Sequence, residues 1–127
     1  DLDTHSVAEK YLATEEGKYL PVPHCQYATQ GWEIVPQLRR FENVNNCILK
    51  TCFGSNALGE YIREHGYNVV ELCGTVTEIC VISNALLVRA FSPNVHVIVD
   101  SSCCAGLSPE GHEAALTVMR SCQVEVI

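Results

Sequence analysis

Residues 68–90 read NVVELCGTVTEICVISNALLVRA, and the fold follows from this stretch. Its first six residues are short and rich in Val and Leu, which favours a buried strand. Gly74 permits a sharp turn, and the apolar residues that follow recur at helical spacing. The stretch therefore predicts a strand, a tight turn and a helix, with Thr77 as the N-cap and Cys80 in the first helical turn.

Cys80 is a candidate nucleophile because of this predicted position. Unpaired backbone N–H groups and the positive end of the helix dipole meet at a helix start, and both favour thiolate over thiol. The same N–H groups could hold a developing oxyanion. The alternative is a buried, inert cysteine, since cysteine is among the most buried residue types. This stretch alone leaves both interpretations open.

Composition narrows the class of protein. A chain of 127 residues is long enough for one domain with a single core. A formal net charge of −7 argues against nucleic acid or an anionic membrane as partner. The sequence shows neither an apolar run of about 18 residues nor the pattern of a signal peptide. We therefore expect a cytoplasmic protein.

The pattern of cysteines also favours a cytoplasmic protein. No C-x-x-C motif occurs, so neither a zinc ribbon nor a thioredoxin-like site is indicated. Several cysteines fall inside strand-like or helical segments, where core packing explains them. We expect reduced thiols in a cytosolic protein. The eight are Cys25, Cys47, Cys52, Cys73, Cys80, Cys103, Cys104 and Cys122.

The rest of the chain alternates between strands and helices after an irregular start. Residues 1–45 read as a long functional loop with short helical pieces, such as residues 32–38. The later elements are predicted as strand 47–50, a helix from Ser55 to His65 closed by Gly66, strand 95–99, a helix from Ser108-Pro109 to Arg120, and strand 123–127. This alternation predicts an α/β fold, three α/β/α layers around a parallel, Rossmann-like sheet.

In such a fold, chemistry concentrates at the carboxyl ends of strands. Lys50 ends an apolar strand, and its amine either reaches solvent or lies near the site, where it would favour a thiolate or pair with a carboxylate. Asp100 most simply caps the turn after its strand. His112, on the following helix, is expected to face solvent. Trp32 either lines a pocket for a flat ligand or anchors its loop.

Polar residues near the start of the chain suggest a metal site. Asp3 and His5 are two residues apart, so an extended backbone presents both on one face. His24 follows in the same loop region, after Glu15 and Glu16. Imidazole and carboxylate together suit Zn²⁺, Fe²⁺ or Mn²⁺. The alternative is a set of solvated polar loop residues.

Taken together, these parts resemble the isochorismatase-like cysteine hydrolases. The resemblance rests on the Asp3-Thr4-His5 segment, Lys50 and residues 74–81 (GTVTEICV), which follow one another along the chain in the order typical of the family. Residues 14–24 (TEEGKYLPVPH) resemble the metal loop of the nicotinamidase type within that family. Segments 103–106 and 109–112 extend the similarity over nearly the whole chain.

The resemblance implies roles for particular residues. Cys80 would be the nucleophile, Lys50 a member of the catalytic triad, and the N–H groups of Val76 and Cys80 the oxyanion hole. A cis peptide is implied at Thr75–Val76, and Trp32 and Thr75 are expected in the substrate pocket. The implied ligands of a divalent metal, zinc first and iron or manganese next, are Asp3, His5, Glu16 and His24, with Glu15 as the alternative to Glu16.

One member of the implied triad has no counterpart. The family carries an aspartate at the end of its first strand, and Asp1 lies too close to Asp3 to belong to a different strand. We therefore expect residues 1–127 to be the carboxyl-terminal portion of a single cysteine-hydrolase domain. On this view the fold is incomplete at the N-terminus: its first strand, its first helix and most of its second strand are missing.

The resemblance implies a metal-dependent amidase that hydrolyses nicotinamide to nicotinic acid and ammonia through a cysteine thioester. The alternatives are another amidase of the family, acting on a small amide or on a carbamoyl or ureido group, and a non-catalytic metal-binding relative that lacks the general base. The expected partner is a small amide, with neither nucleic acid nor membrane involved, and we expect a homo-oligomer.

Overall fold

The structure is a computed structural model that describes residues 2–7, 10–43, 45 and 47–127. The described chain forms two compact units, residues 1–52 and residues 53–127. Each unit contains its own parallel sheet, with strand order β1-β2 in the first and β3-β4-β5 in the second. The predicted α/β class with parallel strands and flanking helices is confirmed. The predicted extent of the domain stays a prediction.

The first unit, residues 1–52, is held by a pair of short strands. Strand β1 (Leu2–His5) runs parallel to β2 (Cys47–Lys50), with His5 opposite Lys50. Between the strands the chain forms a short helix, α1 (Glu15–Tyr19), and 3₁₀ turns at Tyr11–Ala13 and Arg39–Phe41. The predicted strand 47–50 is therefore confirmed.

The predicted helical piece at residues 32–38 is wrong. Residues 31–38 form turns and bends, and the Leu38 N–H donates to the Val35 carbonyl at 2.9 Å. Pro36 explains the difference, because proline has no N–H to donate and disfavours helical backbone at the residue before it.

The second unit, residues 53–127, alternates strands with helices. Its strands are β3 (Val69–Thr75), β4 (His96–Ala105) and β5 (Glu125–Val126), and its helices are α2 (Asn56–His65), α3 (Ile82–Phe91) and α4 (Pro109–Ser121). The predicted helix signals are confirmed. The Ser55 hydroxyl accepts from the Leu58 N–H at 3.1 Å, and Gly66 ends α2 with a φ of 64°. Ser108 caps α4 by accepting from the Gly111 N–H at 3.0 Å.

Apolar side chains from these elements form the core of the second unit. Val88 on α3, Val97 and Val99 on β4, and Leu116 and Met119 on α4 are fully buried. Because both helices and the central strand contribute, the core fixes the helix ends relative to the sheet.

Strand β4 is longer than predicted and β5 is shorter. Residue pairing shifts along β4, from Leu72 opposite Val99 to Gly74 opposite Cys104, so the intervening residues bulge. Asp100 therefore lies within β4 and not in a turn after it. It still has the predicted local role, since its carboxylate accepts from the Ser102 N–H at 2.9 Å and from the Ser102 hydroxyl at 2.7 Å.

None of the helices within the described ranges is long and apolar enough to cross a membrane.

Candidate active site

Cys80 lies in a wide helical turn directly after β3. The Thr75–Val76 peptide is cis, as the resemblance implies, and a π-helical turn spans Thr77–Val81. The Val76 carbonyl accepts from the N–H groups of Ile79 at 3.0 Å and Val81 at 3.2 Å, and α3 continues from there. The half-buried Cys80 thus occupies the first helical turn, as predicted.

Gly74 makes the approach to this turn possible. Its φ is 127°, a conformation that L side chains rarely adopt. Gly74 and Thr75 still pair with Cys104 and Ala105 of β4, so the chain leaves the sheet at the cis Thr75–Val76 peptide. The predicted role of Gly74 as the turn residue is confirmed.

Thr77 is not the N-cap that its sequence position predicts. Val76 is the N-cap, and Thr77 is the first residue inside the turn. The Thr77 side chain is fully buried, and its hydroxyl lies 2.8 Å from Nδ1 of His112. The capping preference of threonine is local, and here a partner 35 residues away takes the hydroxyl instead.

The same contact corrects the expectation for His112. This residue lies on α4, is half-buried and is hydrogen-bonded to Thr77, so it does not simply face solvent. A shallow cavity of about 300 Å³ lies beside it, lined by residues 104–109 and His112.

Glu78 is a site residue that the sequence prediction missed. Its Oε1 accepts from the Leu107 N–H at 2.8 Å. Its own backbone N–H holds the pKa of the Glu78 carboxyl below its usual value, and the N–H groups of Leu107 and Ser108 and nearby His112 act in the same direction. The signal that could have revealed it is the pair Gly106 and Gly111, which leave room for a side chain to approach the loop backbone.

Lys50 is buried at the end of β2, so its side chain does not reach into solvent. The Ser6 N–H donates to its backbone carbonyl at 2.9 Å. Burial raises the pKa of the neighbouring Cys25 thiol, and Glu16 adds to that effect, whereas Lys50 opposes it. The charge of Lys50 therefore acts on the interior of the first unit, and its role toward Cys80 stays a prediction.

His24 and Glu16 of the predicted metal loop lie side by side. His24 Nε2 is 3.0 Å from Glu16 Oε1, and His24 Nδ1 is 2.8 Å from the Val22 carbonyl. Because a carbonyl can only accept, Nδ1 donates to Val22, which leaves Nε2 facing the Glu16 carboxylate. Such an arrangement is stabilised by a proton or by a metal cation, so the pair fits a metal site.

Glu15 lies differently. Its carboxylate is exposed and pairs with Lys18 on α1. The Thr14 hydroxyl caps that helix by accepting from the Gly17 N–H at 3.0 Å, which fixes which glutamate faces His24. Of the two candidates, Glu16 is the one next to His24.

The side chains of Asp3 and His5 lie outside the described residues, although their backbone forms part of β1. The His24 loop runs close to the chain that follows β1, because the Val7 N–H donates to the Cys25 carbonyl at 3.1 Å. Among the described residues, no three histidine, cysteine or acidic side chains are grouped so that they could hold an ion. The four-ligand set stays a prediction.

Trp32 and Thr75 are the predicted pocket residues. The Trp32 ring is half-buried and packs at a tilt against Tyr27, with centroids 4.8 Å apart. Its indole N–H is buried and has no hydrogen-bond partner within the described part of the chain. Thr75 ends β3 and is exposed. Their contact with a substrate stays a prediction.

The other cysteines show how the surroundings of a thiol differ along the chain. All eight cysteines are thiols and not disulfides. Burial raises the pKa of the Cys73 and Cys104 thiols, as it does for Cys25. These three are therefore less thiolate at neutral pH than an ordinary cysteine.

The chain belongs to the isochorismatase family, since the model of the Isochorismatase domain matches residues 3–127. Comparison with the curated proteins gave no match.

Solved structures share the fold. Nicotinamidase/pyrazinamidase PncA from Bacillus subtilis is 26% identical with a TM-score of 0.80, over 98% of this chain and 72% of that one. The pyrazinamidase/nicotinamidase from Streptococcus mutans UA159 is 24% identical with a TM-score of 0.80, over 98% and 73%. Pyrazinamidase of Pyrococcus horikoshii, in complex with zinc, is 22% identical with a TM-score of 0.75, over 98% and 72%. The α/β fold of the isochorismatase family is thereby confirmed.

Proposed function

We propose that this protein is a cysteine hydrolase of small amides, with nicotinamide as the first candidate substrate. The observation that carries the proposal is the position of Cys80, in a helical turn that begins directly after the cis Thr75–Val76 peptide. The structural similarity to a nicotinamidase/pyrazinamidase at 26% identity supports the substrate class.

In the proposed reaction the Cys80 thiolate attacks the amide carbon. The N–H groups of Val76 and Cys80 stabilise the oxyanion that forms. The C–N bond then breaks, ammonia leaves with an added proton, and a thioester remains on Cys80. Water attacks the thioester, releases the carboxylic acid and restores the thiol.

Proton transfer in this reaction needs a general base. Lys50 is assigned to the triad by resemblance, and as a cation it favours the thiolate but cannot accept a proton. The family's triad aspartate has no matching residue within 1–127. Within residues 1–127 we do not propose His24 as the base, because its ring contacts the Val22 carbonyl and the Glu16 carboxylate.

Asp3, His5, Glu16 and His24 would hold the divalent metal, for which zinc is proposed first. When bound, the metal would coordinate the ring nitrogen of the substrate and orient it. Trp32 lies on the loop that follows His24 and packs against Tyr27. Its ring would supply an aromatic face for a flat substrate ring. In this division of roles the N–H groups of Val76 and Cys80, and not the metal, would stabilise the oxyanion.

The test is ammonia release by the protein in the length that its gene encodes, loaded with Zn²⁺, Mn²⁺ or Fe²⁺. The substrates are nicotinamide, pyrazinamide, an N-carbamoyl amino acid and a ureido acid. Cys80→Ala should abolish turnover, whereas Cys122→Ala, which removes an exposed thiol at the end of α4, should leave it unchanged.

The outcomes separate the alternatives. Turnover of nicotinamide and pyrazinamide supports the proposal. Preference for the carbamoyl or ureido compound would change the proposed substrate but would leave the proposed cysteine mechanism intact. Turnover that survives Cys80→Ala, or no turnover of any amide by the metal-loaded protein, would overturn the hydrolase assignment in favour of a non-catalytic relative.

A further inference from the structure

We propose that Glu78 and His112 are positioning residues that hold the Cys80 turn in its reactive geometry. This inference rests on the proposed role of Cys80. Neither residue is placed against the substrate or the reacting atoms. Their effect would pass through the backbone of residues 76–80, which carries both the thiol and the proposed oxyanion donors.

Glu78 connects this turn to the loop before α4. Its Oε1 accepts from the Leu107 N–H at 2.8 Å, so a side chain two residues before Cys80 is tied to the loop backbone. A Cβ added at Gly106 would lie 2.6 Å from Glu78 Oε2, and one added at Gly111 would lie 2.6 Å from Oε1. The carboxylate therefore fits closely between two glycines, and any side chain at either position would displace it.

His112 ties the same turn to α4 at a second point. Its Nδ1 lies 2.8 Å from the hydroxyl of Thr77, a side chain with no exposed surface. Thr77 and Glu78 are adjacent, so two consecutive residues of the turn are anchored to one segment, residues 107–112. Two anchors restrict rotation of the turn as well as its translation.

The chemistry of the anchors favours a positioning role over mere stabilisation. Glu78 is half-buried, and burying part of a carboxylate costs free energy unless hydrogen bonds compensate. An apolar side chain could fill the same space at lower cost. The bond from the Leu107 N–H to Oε1 instead fixes direction, which an apolar contact does not, even though Oε2 is buried without a hydrogen-bond partner among the described residues. Direction matters here because the N–H groups beside Cys80 must point at one oxygen.

The consequence is a reaction rate that depends on atoms distant from the substrate. A misplacement of about 1 Å in a catalytic group can cost about a hundredfold in rate. Releasing either anchor should therefore lower kcat and leave KM little changed, because groups that bind the substrate ground state are not altered.

The experiment compares Glu78→Ala and His112→Ala with the conservative variants Glu78→Gln and His112→Asn, which retain an acceptor and a polar group near the original one. The alanine variants should lower kcat for nicotinamide about 10- to 100-fold, and the conservative variants should recover most of that loss. Gly111→Ala displaces the Glu78 carboxylate from the opposite side and should also lower kcat. Glu110→Ala, an exposed acidic residue in the same turn of α4, is the matched control and should behave as wild type.

A second readout is the rate at which iodoacetamide modifies Cys80 in each variant, followed by peptide mapping. It should fall in parallel with kcat in the alanine and Gly111 variants. Normal kcat and normal Cys80 modification in Gly111→Ala and in folded Glu78→Ala and His112→Ala would overturn the inference. If the alanine variants fail to fold, Gly111→Ala decides it by the same measurements, since a normal kcat and normal Cys80 modification in that variant would contradict the positioning role.

The two proposals fail in distinguishable ways. Turnover retained by Cys80→Ala contradicts the proposed function, whatever the anchors do. Turnover lost in Cys80→Ala but normal in Gly111→Ala and in folded Glu78→Ala contradicts the positioning role alone.

Discussion

The first unit of the chain, residues 1–52, and the second, residues 53–127, fix their polar residues by different means. In the second unit Cys80, Glu78 and His112 lie at the ends of regular elements whose apolar faces form a packed core. In the first unit Glu16 and His24 lie on a short helix and a loop.

The polar residues of the first unit are held in place mainly by hydrogen bonds, whereas those of the second unit are held by packed elements. The Tyr11 hydroxyl donates to the Leu20 carbonyl at 2.6 Å, and Thr14 caps the helix that carries Glu16. Several large apolar side chains of this unit are exposed, including Leu12 and Tyr19. Cys80, the proposed nucleophile, is thus held by packed elements, whereas the proposed metal loop is held by a few local hydrogen bonds.

The largest expected effect tests the core of the second unit. Leu116→Ala should lower the free energy of unfolding by about 2–5 kcal/mol, because this side chain of α4 is fully buried. The matched control is Leu12→Ala in the first unit, where the side chain is 60% exposed, and we expect at most about 0.5 kcal/mol there. Urea unfolding measures both. Equal losses would mean that the two units do not differ in packing.

The next effect tests the metal loop. His24→Ala should weaken metal binding about 10- to 100-fold or more, since it removes the proposed ligand next to Glu16. Glu15→Gln is the control, because Glu15 is exposed and pairs with Lys18. Competition with a chromogenic chelator measures the affinity. A loss in Glu15→Gln and none in Glu16→Gln would show that the adjacent glutamate is the ligand.

Two helix caps offer a smaller comparison. Ser55→Ala removes the cap of α2 and should lower the global free energy of unfolding by about 1 kcal/mol. Thr14→Ala removes the cap of α1 and should act mainly on local opening, since that helix has only five residues. Amide hydrogen exchange distinguishes the two. Global destabilisation by Thr14→Ala equal to that by Ser55→Ala would show that α1 unfolds with the core.

The smallest effect concerns pH. The pKa of Glu78 is lowered in the folded protein, first by its own backbone N–H. Its ionised form therefore adds stability that is present above the unfolded pKa and is lost as pH falls through the folded one. The difference in unfolding free energy between wild type and Glu78→Gln should shrink as the pH falls below the pKa of an ordinary glutamate. A difference that grows in acid would reverse the assigned sign.

The sequence predicted best those features that depend on neighbours along the chain. Ser55, Gly66 and Ser108 are local signals for helix ends, and the structure confirms each of them. The strand and turn before Cys80 were also predictable, because Val-rich sequence and Gly74 report on the backbone directly. The α/β class follows from their alternation.

The features that the sequence did not predict depend on distant partners. Thr77 looks like a cap until His112, 35 residues later, takes its hydroxyl. Glu78 and Leu107 are 29 residues apart, so no local pattern reveals their bond. The bulge that extends β4 past Asp100 is set by pairing with β3 and not by β4 itself. In the first unit the irregular backbone gave no periodicity from which to place Trp32.

The most direct test of the central claim is to find the acyl group during turnover. The metal-loaded protein is mixed with nicotinamide, quenched in acid within milliseconds to seconds, digested and mapped by mass spectrometry. The account predicts a nicotinoyl thioester on Cys80 that disappears as substrate is consumed and never forms in Cys80→Ala. Ammonia release without an acyl group on Cys80, or with the group on another cysteine such as Cys25 or Cys104, would contradict it.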